Sequence, residues 1–179
     1  MRKALFILGV LDDRDIDWMI SVGERRRIPA GQILIKEGQD IEQVYIVVDG
    51  VFAVRAAALA GKEIAQLRAG EIVGEMSFVD SRPPSASVVA LVDSLVLSIP
   101  RADLNQRLND PAFAARFYKA LAVFLANRLR NTVARLGYGK AAADRQPMEL
   151  GDEIGPTVLE GVARAGVRLD WMLRRLRGA

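Results

Sequence analysis

The spacing of the hydrophobic residues changes twice along the chain. Over residues 4–22 they recur at steps of three and four, which predicts a helical entry with Asp12 or Asp13 as the N-cap of its second half. From Arg25 onwards the apolar runs are short and are separated by glycines. A helical stripe then returns over residues 111–136. This pattern predicts a helix, a series of strands, and further helices.

The short apolar runs recur at roughly eight- to twelve-residue intervals. The predicted strands are residues 33–35, 44–48, 51–54, 64–67, 88–92 and 95–99. Strands at this spacing, with turn residues between them, favour an antiparallel sandwich or barrel. Asp49-Gly50 predicts a β-hairpin, because a type I′ turn needs positive φ at both of its central residues.

Prolines and glycines divide the C-terminal half of the chain. Pro100 ends the strands, residues 101–108 form a short helix, and Asp110-Pro111 starts the long helix that Gly137 ends. A last helix is predicted over residues 156–176. The predicted organisation is an N-terminal helical segment (1–23), a β domain (24–110), a long helix (111–137), a linker (138–155) and a basic C-terminal helix (156–179).

Histidine and cysteine are both absent from the 179 residues. Thiol and imidazole catalysis, zinc hydrolysis and disulfides are therefore excluded. The 51% hydrophobic and 26% charged residues are those of an ordinary globular protein. The net charge of +3 divides into −3 for residues 1–100 and +6 for residues 101–179, so an anionic partner would be drawn to the C-terminal part.

The N-terminal sequence does not indicate export or a membrane anchor. No apolar run reaches the roughly 18–20 residues that cross a bilayer. The first apolar stretch is short and ends in aspartates without a small-residue cleavage site, so a cytoplasmic location is expected. The aspartates at 12, 13, 15 and 17 lack the glycine and glutamate of a calcium loop and predict a solvated helix face.

The window Gly70–Ala90 carries the candidate binding site. Glu75–Asp80 is predicted to form one helical turn whose free N–H groups favour a phosphate. A carboxylate repels phosphate, so Glu75 is suited to accept hydrogen bonds from sugar hydroxyls, although it could instead stabilise local N–H groups. Ser85 and Ser87 could donate to the ligand or be ordinary strand hydroxyls. Together these features predict a pocket for one sugar-phosphate ligand.

This window resembles the cassette of the cyclic-nucleotide-binding domain family, the regulatory module of the cyclic-AMP receptor protein, protein kinase A regulatory subunits and cyclic-nucleotide-gated channels. The residues in register are Gly74, Glu75, Met76, Ser77, Phe78, Val79, Pro83, Ser85, Ala86, Ser87, Val88 and Ala90. The resemblance covers about residues 5–136 and implies a mainly β fold with α: an antiparallel β-roll or jelly-roll barrel flanked by an N-terminal helix and C-terminal helices. The ligand-binding residues it implies are Gly74, Glu75, Met76, Ser77, Arg82, Ser85, Ala86 and Ser87.

The chain departs from the family's cassette at one position. Where the family has its phosphate-binding arginine, this chain has Pro84, which has neither a charge nor an N–H. Losing a charge-assisted hydrogen bond worth roughly 1.5–3 kcal/mol weakens binding by roughly one to two orders of magnitude. Arg82 could reach over the two prolines to supply the charge, or it could be solvated on a loop tip.

In the family, the long helix after the barrel covers the base and forms the dimer interface. Residues 111–136 resemble this helix, and their broad apolar stripe predicts a homodimer in addition to packing on the barrel. The residues that would supply the interface are Phe113, Phe117, Leu121 and Phe124. The polar positions from which a base edge could be contacted are Asn127, Asn131 and Thr132.

The basic C-terminal helix has three possible roles. Roughly 40 residues follow Gly139, fewer than the roughly 70 of the winged helix-turn-helix domain in transcription-factor relatives, so direct DNA binding is not expected. The helix is amphipathic and is predicted to dock on the barrel or to pack in an oligomer. An acidic partner is an alternative, and contact with an anionic membrane is possible but not favoured.

The leading hypothesis is a non-enzymatic regulatory protein. It would bind cyclic AMP, cyclic GMP or a related nucleotide phosphate, need no cofactor, and signal to an effector protein through its C-terminal helices. The alternative is a degenerate domain that has lost its ligand and serves as a protein-interaction or assembly module. Hydrolysis by carboxylates alone ranks third, because the carboxylates show no paired arrangement.

Overall fold

The computed structural model describes residues 9–135, 166–168, 170–172 and 174–176, and the predicted linker lies outside this part. The helices are α1 (Asp13–Val22), α2 (Glu75–Asp80), α3 (Arg101–Arg107) and α4 (Pro111–Arg135). The strands are β1 (Glu24–Ile28), β2 (Ile33–Ile35), β3 (Gln43–Asp49), β4 (Val51–Arg55), β5 (Glu63–Arg68), β6 (Ile72–Val73), β7 (Ser87–Ala90) and β8 (Ser94–Pro100). Residues 166–168, 170–172 and 174–176 are helical and are called the C-terminal helical segment. None of the described helices is long and apolar enough to span a bilayer.

Two four-stranded antiparallel sheets form the centre of the fold, in the orders β1-β8-β3-β6 and β2-β7-β4-β5. Together with the helices at both ends, they confirm the predicted antiparallel β-roll. β3 is buried along most of its length because its alternating side chains enter two different cores. One core lies between the sheets, and the other lies between the first sheet and the helices.

The Asp49-Gly50 turn does not form the predicted hairpin. β3 pairs with β6 and β8 in the first sheet, whereas β4 pairs with β5 and β7 in the second. Gly50 does have a positive φ of +100°, and a Cβ there would lie 2.0 Å from Ser94 Oγ. The dipeptide thus signals a sharp turn, but this turn carries the chain from one sheet to the other, and residues on both sides of it contribute to the core between the sheets. The hairpin prediction was therefore wrong.

β1 is a strand that the hydrophobic pattern did not predict. It contains three consecutive arginines, and only Ile28 is buried. It forms because the edge of β8 offers backbone partners, from Ser98 opposite Glu24 to Ser94 opposite Ile28. Charged residues suit such an edge because they discourage pairing with another molecule. The predicted strand over residues 88–92 is also shifted: β7 ends at Ala90, two residues earlier than predicted.

The aspartates around the start of α1 are not all solvated. Asp12 and Asp15 form a capping box in which each carboxylate accepts a hydrogen bond from the other's backbone N–H, at 2.9 and 3.0 Å. Asp15 is fully buried, and Arg116 of α4 donates to both of its oxygens, at 2.7 and 2.9 Å. Asp15 therefore joins α1 to α4, and the prediction of a solvated face is wrong for this residue.

The aromatic stripe of α4 packs inside its own domain. The buried residues of this stripe are Phe113, Phe117, Leu121 and Phe124. The rings of Phe113 and Phe117 stack with their centroids 5.6 Å apart. These residues are unavailable to the dimer interface that the sequence predicts, because the helical core already covers them. A different set of α4 residues is exposed, namely Tyr118, Leu129 and Val133.

The described residues of the C-terminal helical segment dock on the domain, as one alternative predicts, but the ion pairs that join them to it are with α1 and not with the barrel. Met172 is fully buried, and it belongs to the same core as Leu11 and Ile16. Around this contact Arg168 pairs with Asp13 at 2.6 Å, and a second arginine of the segment pairs with Asp17. The aspartates exposed on α1 thus meet the basic face of the segment.

Replacing Met172 with alanine is expected to lower the free energy of unfolding by about 2 kcal/mol, because it removes a buried side chain and leaves a cavity. Urea unfolding measures this loss. Val167→Ala on the same segment is the control, because Val167 is 72% exposed and its truncation should change stability by less than about 0.5 kcal/mol. Equal stability of the two variants would contradict docking of the segment.

Candidate functional site

A cavity of about 290 Å³ lies between α2, the loop after it and the strands of the second sheet. Its aliphatic wall consists of Ile35, Val54, Leu67, Val73 and Val88. It brings together seven of the eight predicted binding residues: Gly74, Glu75, Met76, Ser77, Arg82, Ser85 and Ala86. Its volume is near the lower end of the roughly 300–1,000 Å³ typical of small-molecule sites, which suits one ligand of modest size.

A second groove, of about 350 Å³, lies beside α1 and α3 and is a weaker candidate. Its main cation, Arg107, lies over the rings of Trp18 and Phe113. The same guanidinium lies 3.9 Å from Asp15 and 3.7 Å from Asp110. The groove contains none of the predicted binding residues. We therefore take the smaller cavity, where several polar groups converge, as the candidate site.

The N-cap of the helical turn α2 is a glycine whose conformation and surroundings disfavour a side chain. Gly74 has a φ of +89°, and a Cβ there would lie 2.8 Å from Ile41 Cδ1. At the other end of α2, Ser81 adopts a left-handed φ of +57°. Arg101 of α3 donates a hydrogen bond to Ser81 Oγ at 2.9 Å, which links the C-terminal end of α2 to α3. These contacts hold α2 at the cavity and place Glu75 on its wall.

Glu75 is a buried carboxylate, only 2% exposed. Its Oε1 accepts a hydrogen bond from Arg128 Nη1 of α4 at 2.5 Å. Burial raises the pKa of Glu75, and the charge of Arg128 and the backbone N–H groups of Glu75 and Gly74 offset only part of this effect. Since an ionised carboxylate has about four acceptor sites, it retains capacity for donors from a ligand.

Two charged residues line the cavity that were not predicted to bind ligand, Asp80 at the end of α2 and Arg128 of α4. Arg128 is the one that pairs with Glu75. It follows Phe124 by four residues, and its guanidinium lies 4.8 Å from the centre of that ring. This spacing puts both side chains on one face of α4, the face that meets α2. The signal was therefore a lone arginine in register with the buried aromatic stripe, but sequence spacing alone does not show what that face contacts.

The polar positions predicted to contact a base do not line the cavity in the described structure. Asn127 accepts a hydrogen bond from Arg130 at 3.2 Å, and Thr132 donates to the carbonyl of Arg128 at 3.0 Å. The side chain of Asn131 lies outside the described residues. Among the described residues of α4, Arg128 is the one that lines the cavity.

The loop after α2 brings Arg82 to the cavity rim. Its backbone N–H donates to Asp80 Oδ1 at 3.1 Å, whereas its exposed guanidinium has no hydrogen bond or ion pair to another described residue. Pro84 also lines the cavity, and its carbonyl accepts a hydrogen bond from Gly38 N at 2.8 Å. The cavity thus has a cation near the proline, but it stands at the rim.

Ser87 lies outside the cavity. Its Oγ accepts a hydrogen bond from the backbone N–H of Glu37 at 3.0 Å. Successive side chains of a strand point to opposite faces, and the next residue, Val88, is the one that lines the cavity. Ser87 therefore stabilises the loop after β2, and the predicted ligand contact from its side chain does not fit this geometry.

The cavity has the chemistry of a binding site for a ligand with hydroxyl and anionic groups. A buried carboxylate can accept from hydroxyls, two arginines can bind an anion, and the aliphatic wall can cover an apolar or flat group. In the part of the chain that is described, no group of three or more histidine, cysteine or acidic residues is arranged to hold a metal ion.

Comparisons with known proteins match the same part of the chain. A family model described as "Cyclic nucleotide-binding domain" matches residues 25–110. The chain is 33% identical to the Cyclic AMP receptor protein of Thermus thermophilus over 122 residues, which are 67% of this chain and 55% of that protein. It is 30% identical over 120 residues to an uncharacterized NTE family protein of Mycobacterium tuberculosis, covering 66% of this chain and 20% of that protein.

Solved structures give a similar result. A cyclic nucleotide-binding domain from Methylobacillus flagellatus superposes with a TM-score of 0.68 and 25% identity, and the match covers 85% of each chain. The chain spans between 20% and 55% of the length of the two curated relatives named above. The family match includes every described cavity residue except Arg128, which lies beyond residue 110.

Proposed function

Residues 25–110 of this chain belong to the cyclic nucleotide-binding domain family, and on this basis we propose that the protein is a non-enzymatic cytoplasmic regulator that binds a cyclic nucleoside monophosphate in the cavity beside α2. Its signal passes through α4 and the C-terminal helical segment to an effector protein. Cyclic AMP is the first ligand to test, because the Thermus thermophilus relative is named as a cyclic AMP receptor protein. Cyclic GMP is the second, because it has the same sugar and phosphate.

The observation that carries this proposal is Glu75. A carboxylate that is 2% exposed is costly to keep ionised unless hydrogen bonds compensate it. Arg128 engages one of its oxygens, and the 2′-hydroxyl of a cyclic nucleotide supplies a further donor. Met76, Ser77, Ser85 and Ala86 line the same cavity.

Calorimetric titration of the full chain with cyclic AMP and cyclic GMP tests the proposal. Binding of at least one of them is expected, and its affinity should fall about tenfold for the 2′-deoxy analogue, which lacks the hydroxyl that meets Glu75. An absence of heat with both nucleotides at millimolar concentration would contradict the proposed function. Equal affinity for the 2′-deoxy analogue would contradict the role of Glu75.

The protein is further proposed to form a homodimer through the exposed face of α4. Leu129 is 64% exposed and, with Tyr118 and Val133, leaves an apolar surface that its own domain does not cover. Leu129→Asp is expected to convert the dimer to a monomer in light scattering, because it introduces a charge into the interface. Leu59→Asp is the control, since Leu59 is similarly exposed but lies away from α4, on a 3₁₀ turn (Ala57–Leu59) between β4 and β5. A wild-type monomer would contradict the dimer.

The second candidate function is a ligand-independent assembly module. Pro84 favours it, because the cassette position that supplies the family's phosphate-binding charge is uncharged here. In this case the oligomeric state is the same with and without nucleotide, and neither nucleotide gives heat on titration. The same two measurements therefore separate the two functions.

A further inference from the structure

The positive charge in the cavity comes from two arginines that lie in different environments. Arg82 stands exposed on a loop, without a described partner for its guanidinium. Arg128 comes from α4, is about one-third exposed, and is held between the ring of Phe124 and the carboxylate of Glu75. The ring of Phe124 therefore keeps the Arg128 guanidinium at the cavity even when Glu75 accepts from other donors, whereas no described contact holds that of Arg82.

This difference decides which arginine binds an anion more strongly. Charges interact more strongly where water is partly excluded, and salt screens an exposed charge more than a buried one. A side chain already held in place also loses less conformational freedom on binding. Both effects favour Arg128 over Arg82 as the cation of the site.

The Glu75–Arg128 pair also restricts the ligand that can enter between its members. Separating a buried ion pair is costly unless each member gains a new partner. Glu75 needs hydrogen-bond donors and Arg128 needs an anion. A cyclic nucleotide has both, because its 2′-hydroxyl lies on the same ring system as its phosphate.

We propose that α4 supplies, through Arg128, the phosphate-binding cation that the cassette lacks at Pro84. On binding, the guanidinium exchanges the Glu75 carboxylate for the ligand phosphate, and Glu75 accepts from the sugar hydroxyl. This inference rests on the proposed function and adds to it the residue that binds the anion. It also gives α4 a direct contact with the ligand, so that occupancy of the cavity acts on the helix itself.

The test compares Arg128→Gln with Arg82→Gln, which removes the other arginine of the same cavity. Affinities for cyclic AMP and for adenosine, which lacks the phosphate, are measured by competition against a fluorescent cyclic AMP analogue. The ratio of the cyclic AMP affinity to the adenosine affinity is expected to fall roughly 10- to 100-fold in Arg128→Gln. It is expected to change less than about threefold in Arg82→Gln.

Three results would overturn the inference. The first is an unchanged affinity ratio in Arg128→Gln, and the second is a larger fall in Arg82→Gln. The third is an equal loss of affinity for cyclic AMP and for adenosine in Arg128→Gln, which would show that Arg128 only positions Glu75. If adenosine binds too weakly for the ratio to be measured, the salt dependence of the cyclic AMP affinity is measured in its place. The inference then requires a weaker salt dependence in Arg128→Gln than in wild type.

Two controls keep the test independent of folding and of the proposed function. Thermal unfolding shows whether Arg128→Gln folds. Arg128→Lys, which keeps the charge but loses the planar guanidinium, is expected to retain an intermediate affinity ratio. A ratio as low as that of Arg128→Gln would contradict a charge contact.

If wild type binds neither cyclic AMP nor cyclic GMP, the proposed function fails. If wild type binds and the ratio is insensitive to Arg128, only the further inference fails.

Discussion

Replacing Pro84 with arginine is expected to tighten cyclic AMP binding by roughly 10- to 100-fold, as measured by calorimetric titration. Pro84 already lines the cavity, so a side chain attached there starts at the site wall. The carbonyl of residue 84, which accepts from Gly38 N, is kept in the variant. Arginine also restores a backbone N–H that proline lacks.

The neighbouring proline provides a matched control for this variant. Pro83 lines the same cavity but is more exposed, so Pro83→Arg adds the same charge at the rim. It is expected to change the affinity less than about threefold, because solvent screens it. Equal effects of the two variants would show that the gain comes from net charge and not from the position of the charge.

The same substitution has a second expected result in combination with loss of Arg128. If Arg128 is the cation that binds the phosphate, Pro84→Arg should restore most of the cyclic AMP affinity that Arg128→Gln loses. The restored affinity should again depend on the phosphate and leave adenosine binding unchanged. An absence of rescue, with wild-type binding intact and the variant folded, would contradict the interpretation that the two positions supply the same charge.

Replacing Asp15 with asparagine is expected to lower the free energy of unfolding at pH 7 by about 3 kcal/mol, the lower end of the range for breaking a buried ion pair. Asp15 is fully buried, whereas the side chain of its partner Arg116 is 31% exposed, which places the loss at that lower end. The variant also weakens the capping box with Asp12. Urea unfolding measures the difference.

The effect of Asp15 should depend on pH. Burial raises the pKa of this carboxyl, but the hydrogen bonds and charge of Arg116 and the hydrogen bonds from Asp12 outweigh burial, and the net pKa lies below its ordinary value of 3.8. A lowered folded-state pKa stabilises the fold above the ordinary value, and this stabilisation is lost as the pH falls through the lowered value. The difference in the free energy of unfolding between wild type and Asp15→Asn should therefore have its full value at pH 7 and should decrease as the pH falls below the ordinary pKa.

Asp13→Asn is the control for this prediction. The side chain of Asp13 is 78% exposed, and its pairing with Arg168 is an exposed ion pair. Its replacement is expected to cost less than about 1 kcal/mol. If Asp13→Asn costs as much as Asp15→Asn, or if the difference for Asp15→Asn does not decrease in acid, the assigned role of Asp15 is wrong.

The turns, most strands and the binding cassette were predictable from the sequence because they depend on local chemistry. Gly74 must adopt a positive φ, and the residues after it form the predicted helical turn. The short apolar runs also predicted an antiparallel sandwich or barrel, and the two antiparallel sheets agree with that class. Seven of the eight predicted binding residues line the cavity because they lie on one continuous stretch of chain around α2.

The features that the sequence did not reveal all depend on contacts between distant segments. β1 is a strand only because β8 lies beside it. The chain crosses between the sheets at Asp49-Gly50 because β3 pairs with β6 and β8, whereas β4 pairs with β5 and β7. Asp15 is an ion-pair residue because Arg116, 101 residues away, is brought against it. The sequence patterns for these residues, charged runs and a turn dipeptide, fit several environments equally well.

The features of the cavity also fall into two groups, those that follow from the sequence and those that depend on the tertiary structure. Sequence by itself determined the resemblance to the cyclic-nucleotide-binding cassette, the position of α2, the carboxylate of Glu75 and the missing charge at Pro84, because these are properties of residue types in a fixed local order. Only the tertiary structure decided that Ser87 faces away and that Arg128 faces Glu75. The physical reason is that side-chain direction on a strand depends on register, and contacts of a helix face depend on how that helix packs, and neither is encoded in the spacing of one segment.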